Sequence, residues 1–599
     1  MSRRSSLLLL FPARFQLAFG LPIAVALRKT LAQGYDRNAL RADVLAGIVV
    51  GIVALPLSMA LAIAVGVPPQ HGLYTAIVAG IVVALTGGSK FQITGPTAAF
   101  VVILSPIVAR EGLAGLLTAG LMAGFFLIAL GAARMGRWIQ FIPHPVTTGF
   151  TAGIATVIAT LQIKDLFALA ITHMPETFME KVHALWIARR SASLSDFSLA
   201  AATLALLLVL PRRFPKVTAR VPAPLIAIVA VSTVATLAHR FWPAFSVVTI
   251  GSRFHSVIGG QEIAGIPQVP PLPTLPWGSG GLTLGSVNRL ASAAFAIAML
   301  GAIESLLSST VADGMTGKKH DPDAELIGLG LGNIVAPFFG GIAATGALAR
   351  TATNIRAGAR SPIAAVVHSL FVLAAILLAA PLVAYVPMAS LAGLLLLVAW
   401  NMSEIRHFRS IVRIAPKGDV LILLVCFLLT VVFDMVIAVS VGVVIAALLF
   451  MKRTAELTHS RVLSGDAGES EHELVPGVTL YEIAGPLFFG AAQQAMGALG
   501  NVGSDTKVVV LALGGVQSID ATGLVALESA LERLKTLKKL VVLTGPLPEP
   551  RRVFARANLL HQHPHVHFAE TLERGLARAR DLVEQHASAS AAKFGGVHG

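Results

Sequence analysis

The sequence predicts a polytopic α-helical membrane protein, about fourteen transmembrane helices in a seven-plus-seven inverted repeat, followed by a small cytoplasmic α/β domain. Three observations carry this prediction. Of 599 residues, 55% are hydrophobic and 13% charged, about half the charge of a soluble globular chain. Uncharged apolar stretches recur up to Met451, many approaching the roughly 20 residues that a bilayer crossing requires. The chain also resembles itself at an offset of 251 residues, Thr94 onto Thr345.

The net charge of +15 points at first to a polyanionic partner, but its distribution excludes nucleic acid. Residues 454–599 hold 13 Lys and Arg against 15 Asp and Glu, so the basic excess belongs to the apolar part. There it follows from the positive-inside rule. Residues 1–42 are a basic cytoplasmic lead-in; the run after Arg3 and Arg4 breaks at Pro12 with no cleavage site behind it.

Residues 43–453 form the membrane domain. Its first seven spans fall at 44–67, 73–89, a short one at 97–109, 113–133, 146–163, 197–210 and 221–238. The second seven fall at 291–312, 326–339, a short one at 348–357, 362–380, 382–399, 420–433 and 435–451. Arg134/Arg137, Arg212/Arg213/Lys216/Arg220, Lys318/Lys319, Arg406/Arg409/Arg413/Lys417 and Lys452/Arg453 all follow even-numbered spans, which puts both termini in the cytoplasm. Lys164, Lys181, Arg189 and Arg190 fall on the other side, in a longer loop where that rule weakens. The proline-rich stretch 240–285 is an external excursion.

The offset lays Thr94-Gly95-Pro96-Thr97-Ala98 over Thr345-Gly346-Ala347-Leu348-Ala349. Seven spans per copy is an odd number, so the two copies have opposite orientations, and inverted repeats with interrupted segments at matching positions mark secondary transporters. Each Thr-Gly motif opens a run too short to span the bilayer, hence a half-helix beginning near the midplane, with Pro96 in its first turn. Two such N-termini aim free N–H groups and positive dipole ends at one point, which makes an anion site. Ordinary glycine and proline kinks give such motifs singly; a matched pair is rarer.

Arg350, at the start of the second half-helix, is costly at membrane depth unless it meets an anion, a carboxylate or water. It therefore either attracts the substrate or pairs with Glu304. Glu304 is the one acidic residue of its span and is a candidate for a coupled proton, or else a packing carboxyl. Arg356 and Arg360 read as snorkelling anchors, Asp434 as a loop residue, and His144, His368 and Asn401 as packing or interface residues rather than site groups. Cys426 can form no intrachain disulfide.

The runs Leu55-Pro56-Leu57-Ser58-Met59-Ala60, Gly66-Val67-Pro68-Pro69-Gln70-His71-Gly72-Leu73-Tyr74 and Thr94 to Phe100 resemble the signature of the SulP family of anion transporters. Leu300 to Leu306 and Arg356 to Pro362 match it as well. The resemblance covers nearly the whole chain and implies core and gate domains with substrate held between the two half-helices. It puts substrate-binding positions at Leu57, Ser58, Leu61, Thr97, Ala98, Ala99, Phe100, Ala349, Arg350 and Thr351, and proton coupling at Glu304. Leu57 and Leu61 stand where other members carry polar or aromatic residues. Gly314 to Gly317, Ala399 to Glu404 and Phe433 to Ala438 are similar to the DauA-type transporters, which implies proton-coupled uptake of C4-dicarboxylates such as succinate, fumarate and aspartate. A sulfate or bicarbonate transporter or exchanger, or a passive anion channel, is the alternative in the same family.

Beyond Met451 the pattern changes. Strands at 477–483, 507–513 and 539–543 alternate with helices at 522–537, 549–558 and 571–585, a small α/β domain over 475–590 that resembles the STAS domain, with a flexible tail at 591–599. Thr522 aligns with the serine phosphorylated in related anti-sigma-factor antagonists and is a regulatory candidate; Asp520 as a helix cap is the simpler reading of that loop. His561, His563, His565 and His567 alternate as metal ligands do, but a histidine-rich turn and strand explains them, so no metal is expected. No nucleophile, metal set or phosphate loop supports an enzyme, and Gly328-Leu329-Gly330-Leu331-Gly332 lies in an apolar helix. The expected partners are a small anion, a proton, membrane lipid and, by the family's habit, a second copy of the chain in a bacterial inner membrane; no cofactor is expected.

Overall fold

A computed structural model describes residues 22–594 apart from 172–173, 176, 219–220, 243–244, 259–260, 434, 465–473, 498, 500–502 and 504. Asp434, Arg220, the first 21 residues with Arg3 and Arg4, and the last five residues of the expected tail lie outside the described residues. The chain divides into two compact units, Met1–Val444 and Ile445–Gly599.

In the first unit the apolar stretches form helices whose ends local chemistry sets. After α1 (Val25–Ala32), α2 (Arg37–Val65) begins at Asp36, whose side chain accepts from Ala39 N, and stops at Gly66. α3 (Pro69–Thr86) opens on a proline, whose missing N–H costs nothing in a first turn. β1 (Thr94–Gly95) leads into α4 (Ala98–Ala132), which breaks at Gly112. The backbone there takes φ 66° and ψ −168°, a conformation open essentially to glycine alone. The break separates a half-helix, 98–111, from a span, 113–132. Pro96 lies before the half-helix, whose cap residue is Thr97, and not in its first turn.

α5 (His144–Leu166), α6 (Phe178–Ala188), α7 (Leu194–Arg213) and α8 (Ala223–Phe241) follow. The proline-rich excursion holds an antiparallel hairpin of β2 (His255–Ile258) and β3 (Gln261–Ala264). The second copy comprises α9 (Leu284–Thr316), α10 (Pro322–Val335), β4 (Thr345–Gly346), α11 (Leu348–Arg356), α12 (Ile363–Val383), α13 (Met388–Met402), α14 (Ile405–Ile414), α15 (Lys417–Val432) and α16 (Met435–Glu456).

Among the described residues, ten helices are long and apolar enough to cross a membrane. α4 counts once among them although Gly112 divides it, α13 qualifies only when counted together with α14 as Met388–Ile414, and α10, α11 and α15 are too short to qualify, which accounts for the fourteen expected segments. The 251-residue offset superposes β1 on β4, the first half-helix on α11, and the Gly112 break on the start of α12.

The two copies interlock. α10 packs on α3 and α4, α12 on α2 and α3, and α9 on α4 and α11. Where α4 crosses α10, Gly124 faces the Gly330 carbonyl and Gly330 faces the Gly124 carbonyl, so a methyl group on either would strike backbone. Close approach through small residues replaces the hydrophobic effect, which lipid cannot supply. α5, α7, α8, α13 and α15 form another packed group, with Gly149 and Gly153 of α5 against α15. The excursion and the α12–α13 connection are stitched together by Ile250 N to Val386 O (3.0 Å), Gly251 N to Ala384 O (2.8 Å) and Met388 N to Val248 O (2.8 Å).

Asp43 is fully buried and fixes the segment after α11. Its carboxylate accepts from Arg360 N (2.6 Å), Ser361 N (3.1 Å), Ser361 Oγ (2.5 Å) and Tyr35 Oη (2.8 Å). Burial, and then the hydrogen bond to this carboxylate, hold the Tyr35 phenol well above its ordinary pKa.

In the second unit a five-stranded sheet runs in order β5 (His459–Ser464), β6 (Val478–Ala484), β7 (Val508–Gly515), β8 (Leu540–Thr544) and β9 (Val566–Ala569). β5 is antiparallel to β6 and the other pairs are parallel. α17 (Phe489–Gly497), α18 (Ala521–Thr536), α19 (Pro548–Arg556) and α20 (Leu572–Phe594) accompany it. One apolar cluster gathers Tyr481, Leu511, Leu527 and Leu531, and another gathers Leu480, Val510, Ala579 and Leu582. β5 is a strand that the sequence pattern did not predict, and β9 is the strand of the histidine-rich turn and strand.

Replacing Asp43 with Ala orphans four donors, two of them backbone amides. The expected result is a loss of about 2–4 kcal/mol, read as a lower thermal-unfolding midpoint of the detergent-solubilised chain, with Asp43→Asn falling between Ala and the parent.

Candidate functional site

The site is built where polypeptide leaves helical form inside the membrane unit. β1 and β4 pair antiparallel, Thr94 with Gly346 and Gly95 with Thr345. Ala347 N donates to Ile93 O (2.8 Å) and extends the ladder toward α11. Because each dipeptide runs directly into a half-helix and the pair is antiparallel, the N-termini of the first half-helix and of α11 lie head to head, at opposite ends of a two-residue ladder. Neither the Thr97 nor the Ala347 side chain caps its helix. The first-turn amides are therefore not met by a cap side chain, and the positive dipole ends converge.

The extended segments leading into the strands find their partners in side chains, as they must away from water. Glu325 Oε2 accepts from Gly88 N (2.9 Å) and Ser89 N (2.8 Å), and Glu325 Oε1 accepts from Gln92 Nε2 (2.7 Å). Gln92 also donates to Ser305 Oγ (2.5 Å) and accepts from Ser309 Oγ. In the second copy Asn333 does the same work: Oδ1 accepts from Ala344 N (2.8 Å) and Nδ2 donates to Ala344 O (2.9 Å). Asn354 Nδ2 donates to Phe91 O (2.9 Å), and Thr351 Oγ1 accepts from Ile93 N (3.1 Å). Gln92, Glu325, Asn333 and Asn354 were missed by the sequence reasoning. The available signal was a charged or amide residue inside or beside an apolar run; at the 251-residue offset these four face Ala343, Tyr74, Val82 and Ile103, so the repeat itself did not mark them.

Both strand glycines leave room for a polar side chain. The Gln92 amide fills the space that a side chain on Gly346 would take, and Arg350 Nη1 fills the space beside Gly95, next to Ala76.

Of the residues singled out from sequence, Thr97 and Glu304 are brought together. Thr97 Oγ1 donates to Glu304 Oε2 at 2.8 Å, joining the cap of the first half-helix to the middle of α9. Thr97, Leu57 and Glu304 are partly exposed, and Ala349 is exposed beside Leu348. Arg350 is only 2% exposed and makes no ion pair with Glu304; its guanidinium lies against Gly95 and Ala76. Ser58, Leu61, Ala98, Ala99, Phe100 and Thr351 are buried, with Phe100 packed on Gly301 and Thr351 engaged with Ile93 and Ser308.

In the second unit Asp520 caps α18, its Oδ1 accepting from Gly523 N at 2.7 Å. Thr522 is exposed in the first turn and lines a cavity of about 310 Å³ with Gln493, Ser529 and Arg533. His563 Nδ1 lies 3.1 Å from Glu532, and His565 Nε2 lies 3.0 Å from the Leu531 carbonyl.

A family model described as the sulfate permease family matches residues 40–426, and one described as the STAS domain matches residues 470–574. YvdB of Bacillus subtilis, named a candidate sulfate transporter, is 39% identical over 539 residues, covering 90% of this chain and 97% of that protein. The bicarbonate transporter BicA of a Picosynechococcus strain is 29% identical over 554 residues, 88% of this chain and 92% of its own. The structure of murine Slc26a9, an anion transporter in its inward-facing state, superposes with a TM-score of 0.79 at 18% identity, over 97% of this chain and 96% of that one, which shows a shared fold.

Gly346→Ala drives a methyl group into the Gln92 amide and breaks a network of four side chains. It should cost about 1–3 kcal/mol and lower the thermal midpoint, whereas Gly314→Ala, with open space around it, should leave the midpoint unchanged or raise it slightly.

Proposed function

This chain belongs to the sulfate permease family, and from that premise we propose that it is a secondary active anion transporter coupled to protons. The observation that carries this reading is the hydrogen bond from Thr97 to Glu304. It sets a carboxyl group beside the amide-rich end of a half-helix, the same end that attracts an anion. A carboxylate and a substrate anion repel each other at that distance, so the anion binds best when Glu304 brings a proton. Arg350 adds a positive charge behind the paired strands, felt across Gly95. The two ligands thus travel together, the condition for symport.

For substrate we favour C4-dicarboxylates, on the likeness of the Gly314 to Gly317, Ala399 to Glu404 and Phe433 to Ala438 runs to DauA-type transporters. A second reading, sulfate or bicarbonate, is favoured by the names of the relatives YvdB and BicA.

Uptake of labelled succinate, fumarate, aspartate and sulfate into proteoliposomes under imposed pH or sodium gradients separates these readings. The expected outcome is acid-stimulated dicarboxylate uptake. Glu304→Gln should keep substrate binding but lose the response to the proton gradient, and Arg350→Ala should abolish uptake. Sulfate uptake indifferent to pH would overturn both the coupling and the substrate assignment.

A further inference from the structure

α14 connects two spans, yet none of its residues is buried. Its sequence, IRHFRSIVRI, sorts by angle. At about 100° per residue, Ile405, Phe408, Ile411 and Val412 fall within an arc of about 120°, while Arg406, Arg409 and Arg413 fall within about 60° on another side. The apolar arc is anchored to the bundle through Phe408, whose ring meets that of Phe427 on α15 edge-on at 5.7 Å. The basic arc has no protein partner: among the described residues Arg406, Arg409 and Arg413 form no ion pair and donate no side-chain hydrogen bond to a carboxylate. The nearest acid in sequence, Glu404, is engaged with His407 at 3.4 Å.

Position in the fold says what covers this face. α13 ends at Met402 and α15 begins at Lys417, so α14 lies where two membrane spans terminate. A short helix with an apolar stripe, a basic stripe and no acidic residue lies in the plane of a bilayer surface, stripe against acyl chains and arginines among phosphates. Arginine suits this role because its planar donors take a phosphate in a bidentate manner.

We propose that α14 is an interfacial helix whose Arg406, Arg409 and Arg413 bind the headgroups of anionic phospholipids. Since α13 and α15 both pack on α5, this contact tethers that helix group to the bilayer surface.

The test uses the full chain in lipid nanodiscs, with a fluorophore on Ser410→Cys; the native Cys426 is buried and stays unlabelled. Headgroup-spin-labelled phosphatidylglycerol should quench the fluorophore at far lower content than phosphatidylcholine with the same label, and added salt should weaken that preference. The preference should fall about fivefold for each arginine replaced by glutamine and on the order of a hundredfold in R406Q/R409Q/R413Q. The corresponding lysine variant should retain most of it. Equal quenching by the two lipids in the parent chain, a preference that survives the triple glutamine variant, or one that salt does not touch would overturn the proposal; the salt titration needs no variant to fold.

Discussion

Polar backbone that leaves helical form inside a bilayer must find every partner within the protein, and in this chain that demand is met by two dipeptides that need each other. Thr94–Gly95 and Thr345–Gly346 supply one another's hydrogen bonds. The segments leading into them are held by Glu325, Gln92, Asn333, Asn354 and Thr351. Each tether crosses between elements far apart in sequence or between an element and its own loop. The half-helices are consequently fixed in position before any solute arrives, and their amide-rich ends face a common space as a fixed feature of the fold.

The same demand explains why the packing is so rich in small residues. A strand pair can form only if the helices behind it come close, and Gly124 with Gly330 removes the atoms that would keep them apart, while Gly95 and Gly346 leave space beside the strands themselves. Polar side chains then occupy the released space, Arg350 at Gly95 and Gln92 at Gly346. The two copies have arrived at the same device with different chemistry, a cation in one and an amide in the other.

Composition and the 251-residue offset made the class, the repeat and both half-helices legible, because hydrophobic periodicity and punctuation by glycine and proline are local signals. The orientation of Arg350 was not legible. α11 has nine residues, and whether its third position faces outward with Leu348 and Ala349 or inward depends on the angle at which the helix leaves β4. Gln92 and Glu325 escaped notice because their meaning lies in a contact across 233 positions. β5 was hidden for another reason: it is an edge strand with a polar face, where the hydrophobic alternation that marks a buried strand is weak. α14 reads as a basic loop until its arginines are placed around a helix axis.

The dependence of one dipeptide on the other has a bearing on biosynthesis. Thr94 and Gly95 leave the ribosome some 250 residues ahead of Thr345 and Gly346, so during translation the first copy reaches the lipid with those groups unmatched. It can insert, but it cannot mature; it must wait, hydrated or chaperoned, for a sister segment still to be made. A truncated product ending between the copies would carry that defect permanently, which makes the half-length chain a natural substrate for membrane quality control and assembly of the two halves an all-or-nothing event late in synthesis.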